Sequence, residues 1–501
     1  MAPRAVSVTR SRPKVRARSL KILMVCSEIF PLIKTGGLAD VMGALPAALR
    51  PSGLEVTTLI PGYPAVRAAL GRSSVIHTYP ALFGGPATLR AGRAQGLDMQ
   101  VLDAPHLFDR PGNPYSDSAG KDWPDNAQRF AALARVAADL GLGLVPALTP
   151  DIIHAHDWQA GLVPVYLRYS GTSTPPVVMT VHNLAYQGQF PADLLDTLGL
   201  PADSYSITGV EHYGAIGFLK AGLQHADAIT TVSPRYAAEI ATPESGMGLD
   251  GLFRARADRV IGILNGLDIK VWNPATDPAL AANFDADRLV LRAANKSALL
   301  DRIGLPERPD GLLFGLVSRL TAQKGIDLVL ATLDTLIGIN GQLVVLGTGA
   351  PDLENALRDA QALYPDAIKA IIGFDEGLSH LIQGGADAIL VPSRFEPCGL
   401  TQLAAQRYGA VPVVSRIGGL ADSVIDANDA AIRAGVATGI QIQPVSMDGL
   451  RSGLLRSARL FADQPTWQSI QRNGMRLDVS WTDPAQQYAA LYRSLIKTNA
   501  A

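Results

Sequence analysis

Three short segments combine cations, glycines and an acid in a way that suits a phosphorylated ligand bearing hydroxyls. The first, Ser318-Arg319-Leu320-Thr321-Ala322-Gln323-Lys324-Gly325, follows the apolar run Leu312 to Leu316. Two cations five positions apart beyond a strand's carboxyl end can converge on one diphosphate, Arg319 as a planar fork and Lys324 as a point charge. The second, Pro392-Ser393-Arg394-Phe395-Glu396-Pro397-Cys398-Gly399-Leu400-Thr401-Gln402, follows the run Ala388 to Val391. There Pro397 stiffens the turn, Gly399 permits an unusual backbone, and Leu400 and Thr401 open a helix through Arg407 whose first amides favour an anion. Glu396 then stands beside phosphate donors, where ligand hydroxyls are the partners that suit a carboxylate. The third, Lys34-Thr35-Gly36-Gly37, lies between the strand Ile22 to Cys26 and a helix from Ala39 to Leu49. Its glycines let a ligand approach the backbone and Lys34 adds charge, while the missing Gly-Lys-Ser/Thr ending argues against a P-loop.

Histidines supply a fourth group. His154-Ala155-His156-Asp157-Trp158 ends another strand, with His154 and His156 on one face. That spacing is compatible with a metal ion, but no second His/Asp/Glu cluster completes a ligand set, so no metal is expected. His182 and Asn183 follow the strand Val177 to Val181, which makes them cleft residues rather than core ones.

The elements that position these residues are those of an α/β protein. Further strands are predicted at Val56 to Ile60, Ile152 to Ala155, Ala228 to Val232, Leu343 to Leu346, Ala370 to Ile372 and Val411 to Val414, separated by Ala/Leu-rich helical segments. Continuous apolar strands alternating with helices predict parallel sheets covered on both faces. The sequence Gly36-Gly37-Leu38-Ala39-Asp40 recurs as Gly418-Gly419-Leu420-Ala421-Asp422, each preceded at two positions by a cation. Together these predict two Rossmann-like halves, each with a ligand-binding glycine turn, and a site in the cleft between them. The join is expected near Arg259 to Trp272, after a strand at Val260 to Leu264, which divides the chain into a tail at 1–20, an N-terminal domain at 21–262 and a C-terminal domain at 263–480. The remainder, 481–501, holds a helix at Pro484 to Ile496 that must dock on something.

Composition removes other function classes. Lys and Arg total 44 against 45 Asp and Glu, so no global field draws the chain to nucleic acid or an anionic membrane. At 501 residues, 48% hydrophobic and 18% charged, it folds as more than one domain. Two cysteines, Cys26 and Cys398, make no disulfide framework and fit a reducing compartment, with the cytoplasm as the default. Apolar runs are too short to span a membrane. The tail carries Arg4, Arg10, Arg12, Lys14, Arg16 and Arg18 without an acid, as a disordered extension does; a plastid transit peptide is the alternative.

Taken together, Lys34 to Val41, His154 to Trp158, Thr180 to Asn183, Phe218 to Gly222, Thr231 to Tyr236, Asn265 to Asp268, Ser318 to Gly325 and Ser393 to Gln402 resemble the ordered signatures of bacterial glycogen synthases and plant starch synthases. The resemblance runs from Lys21 to Tyr492. It implies a GT-B glycosyltransferase that moves glucose from ADP-glucose to the non-reducing end of an α-1,4-glucan with retention, without a cofactor, and a last helix that crosses back onto the N-terminal domain. It makes the N-terminal domain the glucan acceptor side and the C-terminal domain the nucleotide-sugar donor side, and it places Lys34 and the Gly36-Gly37 turn on the donor, Asp40 among the substrate-binding residues, Asp157 and His182 near the transferred sugar, and Asn265 in the cleft. It places Arg319 and Lys324 on the diphosphate, Glu396 on sugar hydroxyls, and the backbone of Cys398, Gly399, Leu400 and Thr401 on sugar and phosphate. One departure is Ala350 after Gly347-Thr348-Gly349, where the family commonly has Asp. Another GT-B transferase or an epimerase would keep the same fold and cations, and a non-enzymatic glucan-binding protein would not need them.

Overall fold

The computed structural model describes residues 19–308 and 310–499. The basic tail thus lies outside the described residues as far as residue 18, and its predicted end at residue 20 gives way because Leu20 already pairs with Leu54 in the first sheet.

Among the described residues the first sheet has nine strands. In chain order they are β1 (Leu20–Val25), β2 (Leu54–Pro61), β3 (Ser73–Leu82), β4 (Gly85–Ala94), β5 (Leu97–Asp103), β6 (Ile152–His156) and β7 (Val177–Val181). A separate small sheet of β8 (Gln189–Phe190), β9 (Glu211–His212) and β10 (Ala215–Gly217) intervenes before β11 (Ala228–Thr231) and β12 (Val260–Gly262) complete the first. The spatial order is β12-β11-β7-β6-β1-β2-β5-β4-β3. Its centre is parallel, and β6, β7 and β11 are buried at every position, as apolar strands covered on both faces must be.

The edge departs from the all-parallel expectation, since β3, β4 and β5 form antiparallel pairs. β3 buries only Leu82 and β4 only Ala87, Leu89 and Ala94, so these two strands lack the continuous apolar run that marks a central strand. The turns joining them are two-residue loops, Phe83-Gly84 and Gln95-Gly96, in which both residues have positive φ (48° and 93°, 50° and 75°). This is the twist-matched hairpin turn, here with Phe and Gln where Asn or Asp would have announced it.

The second sheet is wholly parallel and holds β13 (Leu313–Val317), β14 (Gln342–Gly347), β15 (Ile368–Ile372), β16 (Ala388–Val391), β17 (Val411–Ser415) and β18 (Ile440–Ile442). Its order is β15-β14-β13-β16-β17-β18. Because β13 and β16 are neighbours, the loops leaving their carboxyl ends run side by side. Arg394 N donates to Gln323 O (2.8 Å), and Gly325, at φ 72°, lies so close that an added Cβ would sit 2.2 Å from Pro392 O.

The chain passes between the halves twice at adjacent places. Leu267 N donates to Val479 O (2.7 Å) and Leu267 bridges Ser480, with Gly266 too close to Ser480 and Trp481 for any side chain. The last helix spans Thr482–Asn499, longer at both ends than predicted. Ala485, Tyr488, Ala489 and Tyr492 enter the apolar core of the first half, and Arg493 donates to Ser52 O (2.6 Å). Its docking partner is therefore the half the chain left some two hundred residues earlier.

Candidate active site

A cavity of about 970 Å³ opens between the two halves. All fourteen predicted site residues line it: Lys34, Gly36, Gly37, Asp40, Asp157, His182, Asn265, Arg319, Lys324, Glu396, Cys398, Gly399, Leu400 and Thr401. They come from the carboxyl ends of β1, β6, β7, β13 and β16 and from the first crossing between the halves, where an open α/β sheet places ligands.

From the second half, Lys324 Nζ lies 2.5 Å from Glu396 Oε2, which also accepts from Ser393 Oγ (3.0 Å). Arg319 is unlike Lys324, having no carboxylate partner among the described residues; its guanidinium donates across the cleft to the Tyr186 hydroxyl (3.2 Å). Gly399 adopts φ 73°, and an added Cβ there would meet Gln402 Oε1 at 2.4 Å. That turn puts Leu400 at the helix cap, so the helix runs Thr401–Arg407 and starts one residue later than predicted. The Cys398 thiol is buried and hydrogen-bonded by the Asn265 backbone and side chain; burial pushes it up to about 12, so it stays neutral. Asn265 Oδ1 is buried with no partner among the described residues.

In the first half, Asp157 has a positive φ of 55°, rare for a residue with a Cβ, and its Oδ1 accepts from His182 N (2.7 Å). Burial pushes its carboxyl up to about 7, against the opposing pull of the His182 and Asn183 amides. His182 Nε2 lies 2.9 Å from His156 Nδ1, and burial pushes His182 down to about 3, leaving it neutral. His154 and His156 do share a face, with ring centroids 4.0 Å apart, but His154 is bonded to Tyr492 and Thr180. Among the described residues no group of three or more His, Cys, Asp and Glu is placed to hold a metal ion. Nor is any helix there long and apolar enough to cross a membrane.

Gly36 and Gly37 have no left-handed φ, and an added Cβ would touch nothing within 4 Å, so their smallness leaves the backbone open to the cavity. One expectation about the site needs correction. The second copy of the repeat is not a ligand turn. Gly418 and Gly419 press on the Glu396 and Cys398 backbone, Gly418 N donates to the Glu239 carboxylate (3.1 Å), and Asp422 accepts from Arg235 N (2.8 Å). It braces the Glu396 loop against the helix Pro234–Glu239 of the first half, whose capping Ser233 donates to Pro397 O (2.9 Å).

The residue that sequence reasoning missed is Glu28. Buried at the end of β1, it accepts from Thr35 N (2.5 Å), Thr35 Oγ1 (2.6 Å), Gly36 N (3.2 Å) and the Tyr115 hydroxyl, and so shapes the Lys34 to Gly37 turn from behind. Its position just beyond the strand Ile22 to Cys26 is the signal that was available. Lys34 itself pairs with Asp40 (2.7 Å), and burial raises the Asp40 carboxyl.

Comparison with known proteins agrees with this geometry. Residues 21–255 match the starch synthase catalytic domain and residues 300–456 match glycosyl transferases group 1. A glycogen synthase of Acidiphilium cryptum is 64% identical over 95% of this chain and 99% of its own, and one of Rhodopseudomonas palustris is 60% identical over 96% and 98%. The chain belongs to the glycogen synthase family. Its members are glycosyltransferases, and the paired sheets, facing cleft and returning helix are their GT-B fold. The catalytic domain of starch synthase IV from Arabidopsis thaliana, bound to ADP and acarbose, superposes with a TM-score of 0.86 at 31% identity, covering 96% of this chain and all of that one. Sucrose-phosphate synthase from Thermosynechococcus elongatus, at 18% identity and a TM-score of 0.58, shares the fold alone.

Proposed function

We propose that this chain transfers glucose from ADP-glucose to the non-reducing end of an α-1,4-glucan with retention of configuration, as a step of glycogen synthesis in the bacterial cytoplasm. The observation that carries the reading is the single cavity into which one half sends Arg319, Lys324 and Glu396 and the other sends Lys34, Asp157 and His182.

The leaving group dictates the chemistry. A glycosidase must protonate a departing alkoxide, whereas a nucleoside diphosphate leaves as a stabilised anion, so cations replace the acid. Arg319 and Lys324 stabilise the charge that develops on the diphosphate as the anomeric bond breaks. No metal is required for that task, and EDTA is expected to leave the rate unchanged. Glu396 and neutral His182 hold hydroxyls of the sugar. The acceptor hydroxyl attacks on the face the diphosphate leaves, passing its proton to the departing oxygen through a short-lived ion pair. That path gives retention without a carboxylate nucleophile.

The test is a donor panel with one glycogen primer at sub-saturating concentration. ADP-glucose is expected to exceed UDP-glucose in kcat/KM by about tenfold or more, because a pocket for a purine leaves unpaired groups around uracil. Equal or reversed values would overturn the ADP assignment, and epimerisation without transfer would overturn the synthase reading.

A further inference from the structure

His154, His156 and His182 stand in a row from the core to the cavity. Ring centroids are 4.0 Å apart between the first two and 5.2 Å between the last two. His154 is fixed at the inner end by Tyr492 OH (2.7 Å) on the last helix and by Thr180 Oγ1 (2.5 Å), and its ring packs against that of His156 at a tilt of 33°. His182 lines the cavity at the outer end. Burial keeps all three rings uncharged.

An uncharged imidazole has one N–H and one acceptor nitrogen, and the hydrogen bond each makes decides which is which. His156 Nδ1 and His182 Nε2 are 2.9 Å apart, so one of the two carries the shared proton. The other nitrogen of His156, Nε2, is buried with no partner among the described residues. A proton there would be an orphaned buried N–H, which proteins avoid more strictly than an unmet lone pair. The proton of His156 therefore belongs on Nδ1, and His182 Nε2 must accept it.

We propose that His156 is a positioning residue that donates from Nδ1 to His182 Nε2 and thereby holds His182 as the Nδ1–H tautomer, which offers its N–H to an oxygen of the transferred sugar. The inference rests on the reading of His182 as a sugar-facing group. It assigns His182 the part of a fixed donor, and His156, which touches no ligand, the part of selecting the form in which His182 meets it.

Nitrogen-15 NMR of protein labelled at its histidines tests this on the full chain, because the two-bond patterns of protonated and bare ring nitrogens differ. His182 is expected with Nδ1 protonated and Nε2 bare, and His156 with Nδ1 protonated; a proton on His182 Nε2 would overturn the proposal. Two variants add function to the spectrum. In His156→Asn a carboxamide N–H takes the place of Nδ1, so the His182 tautomer and most of kcat should survive. In His156→Leu the donor is gone, the His182 proton is expected to redistribute, and kcat should fall about tenfold or more with KM for ADP-glucose little changed. Equal losses in both variants would reduce His156 to a packing residue. If the leucine variant does not fold, the wild-type spectrum decides alone. Absence of glucosyl transfer by the wild type would count against the proposed function and leave the tautomer measurement standing.

Discussion

Lys324 and Glu396, two groups proposed to serve one ligand, form an ion pair in the cavity, with Nζ 2.5 Å from Oε2 and side chains only 18% and 9% exposed. A buried ion pair contributes modestly as a pair, but loss of one member strands the other. Lys324→Ala and Glu396→Gln are therefore each expected to lower both thermal midpoint and turnover. The double variant should regain part of the midpoint and none of the turnover. A double-mutant cycle followed by calorimetry and initial rates checks this, and additive losses in the midpoint would contradict the coupling.

Arg319 separates stability from catalysis. Its partner is the half-exposed Tyr186 hydroxyl at 3.2 Å, so removing it strands no charge. Arg319→Ala should keep the wild-type midpoint and lose turnover on the order of a hundredfold, the cost of a donor aimed at developing negative charge. Tyr186→Phe should change turnover little. Rates and melting curves for the two variants side by side make the comparison.

Asp157 gives the fold a pH dependence of definite sign. With its carboxyl pushed from 3.8 to about 7 by burial, the folded state holds a proton that the unfolded state releases. Its favourable contribution is complete below the unfolded value and is lost as pH rises through about 7. Asp157→Asn, which cannot ionise, should thus gain stability over wild type progressively as pH rises from 3.8 to about 7 and level off above that, by on the order of a few kcal/mol at the plateau. A difference between the two proteins that stays constant with pH would show that the carboxyl ionises freely.

The neutral thiol of Cys398 makes the backbone at that position the useful part. Cys398→Ser should retain most activity, and iodoacetamide should react slowly with the folded protein because the thiol resists ionisation. Abolished activity in the serine variant would assign the sulfur a role.

Legibility in the sequence followed the physics of each element. Central strands such as β13 and β16 announce themselves because burial on both faces demands an unbroken apolar run. The antiparallel edge did not, since β3 is half exposed and its turns use Phe83 and Gln95 at positive φ. Site loops were readable because a strand end followed by cations, an acid or glycines has few structural purposes. What Glu28 does was not, because its partners Thr35, Gly36 and Tyr115 meet it only in three dimensions. The second Gly-Gly-Leu-Ala-Asp misled for the same reason. Identical letters lie open to the cavity at Gly36 and are pressed against the Glu396 carbonyl at Gly418.

The paired passages at Leu267 and Val479–Ser480 alter how the molecule can come apart. A protein whose halves hang on one linker separates when that linker is cut, and its halves can twist freely about it. Here a protease nick at either passage leaves the other strand tethering both halves, and the last helix keeps its tyrosines seated in the first. Two tethers side by side also act like the two pins of a door hinge, allowing a swing about the line through them and resisting rotation about any other. Any opening of the cleft is therefore steered along one path, which returns Arg319 and Lys324 to the same place opposite His182 each time it shuts.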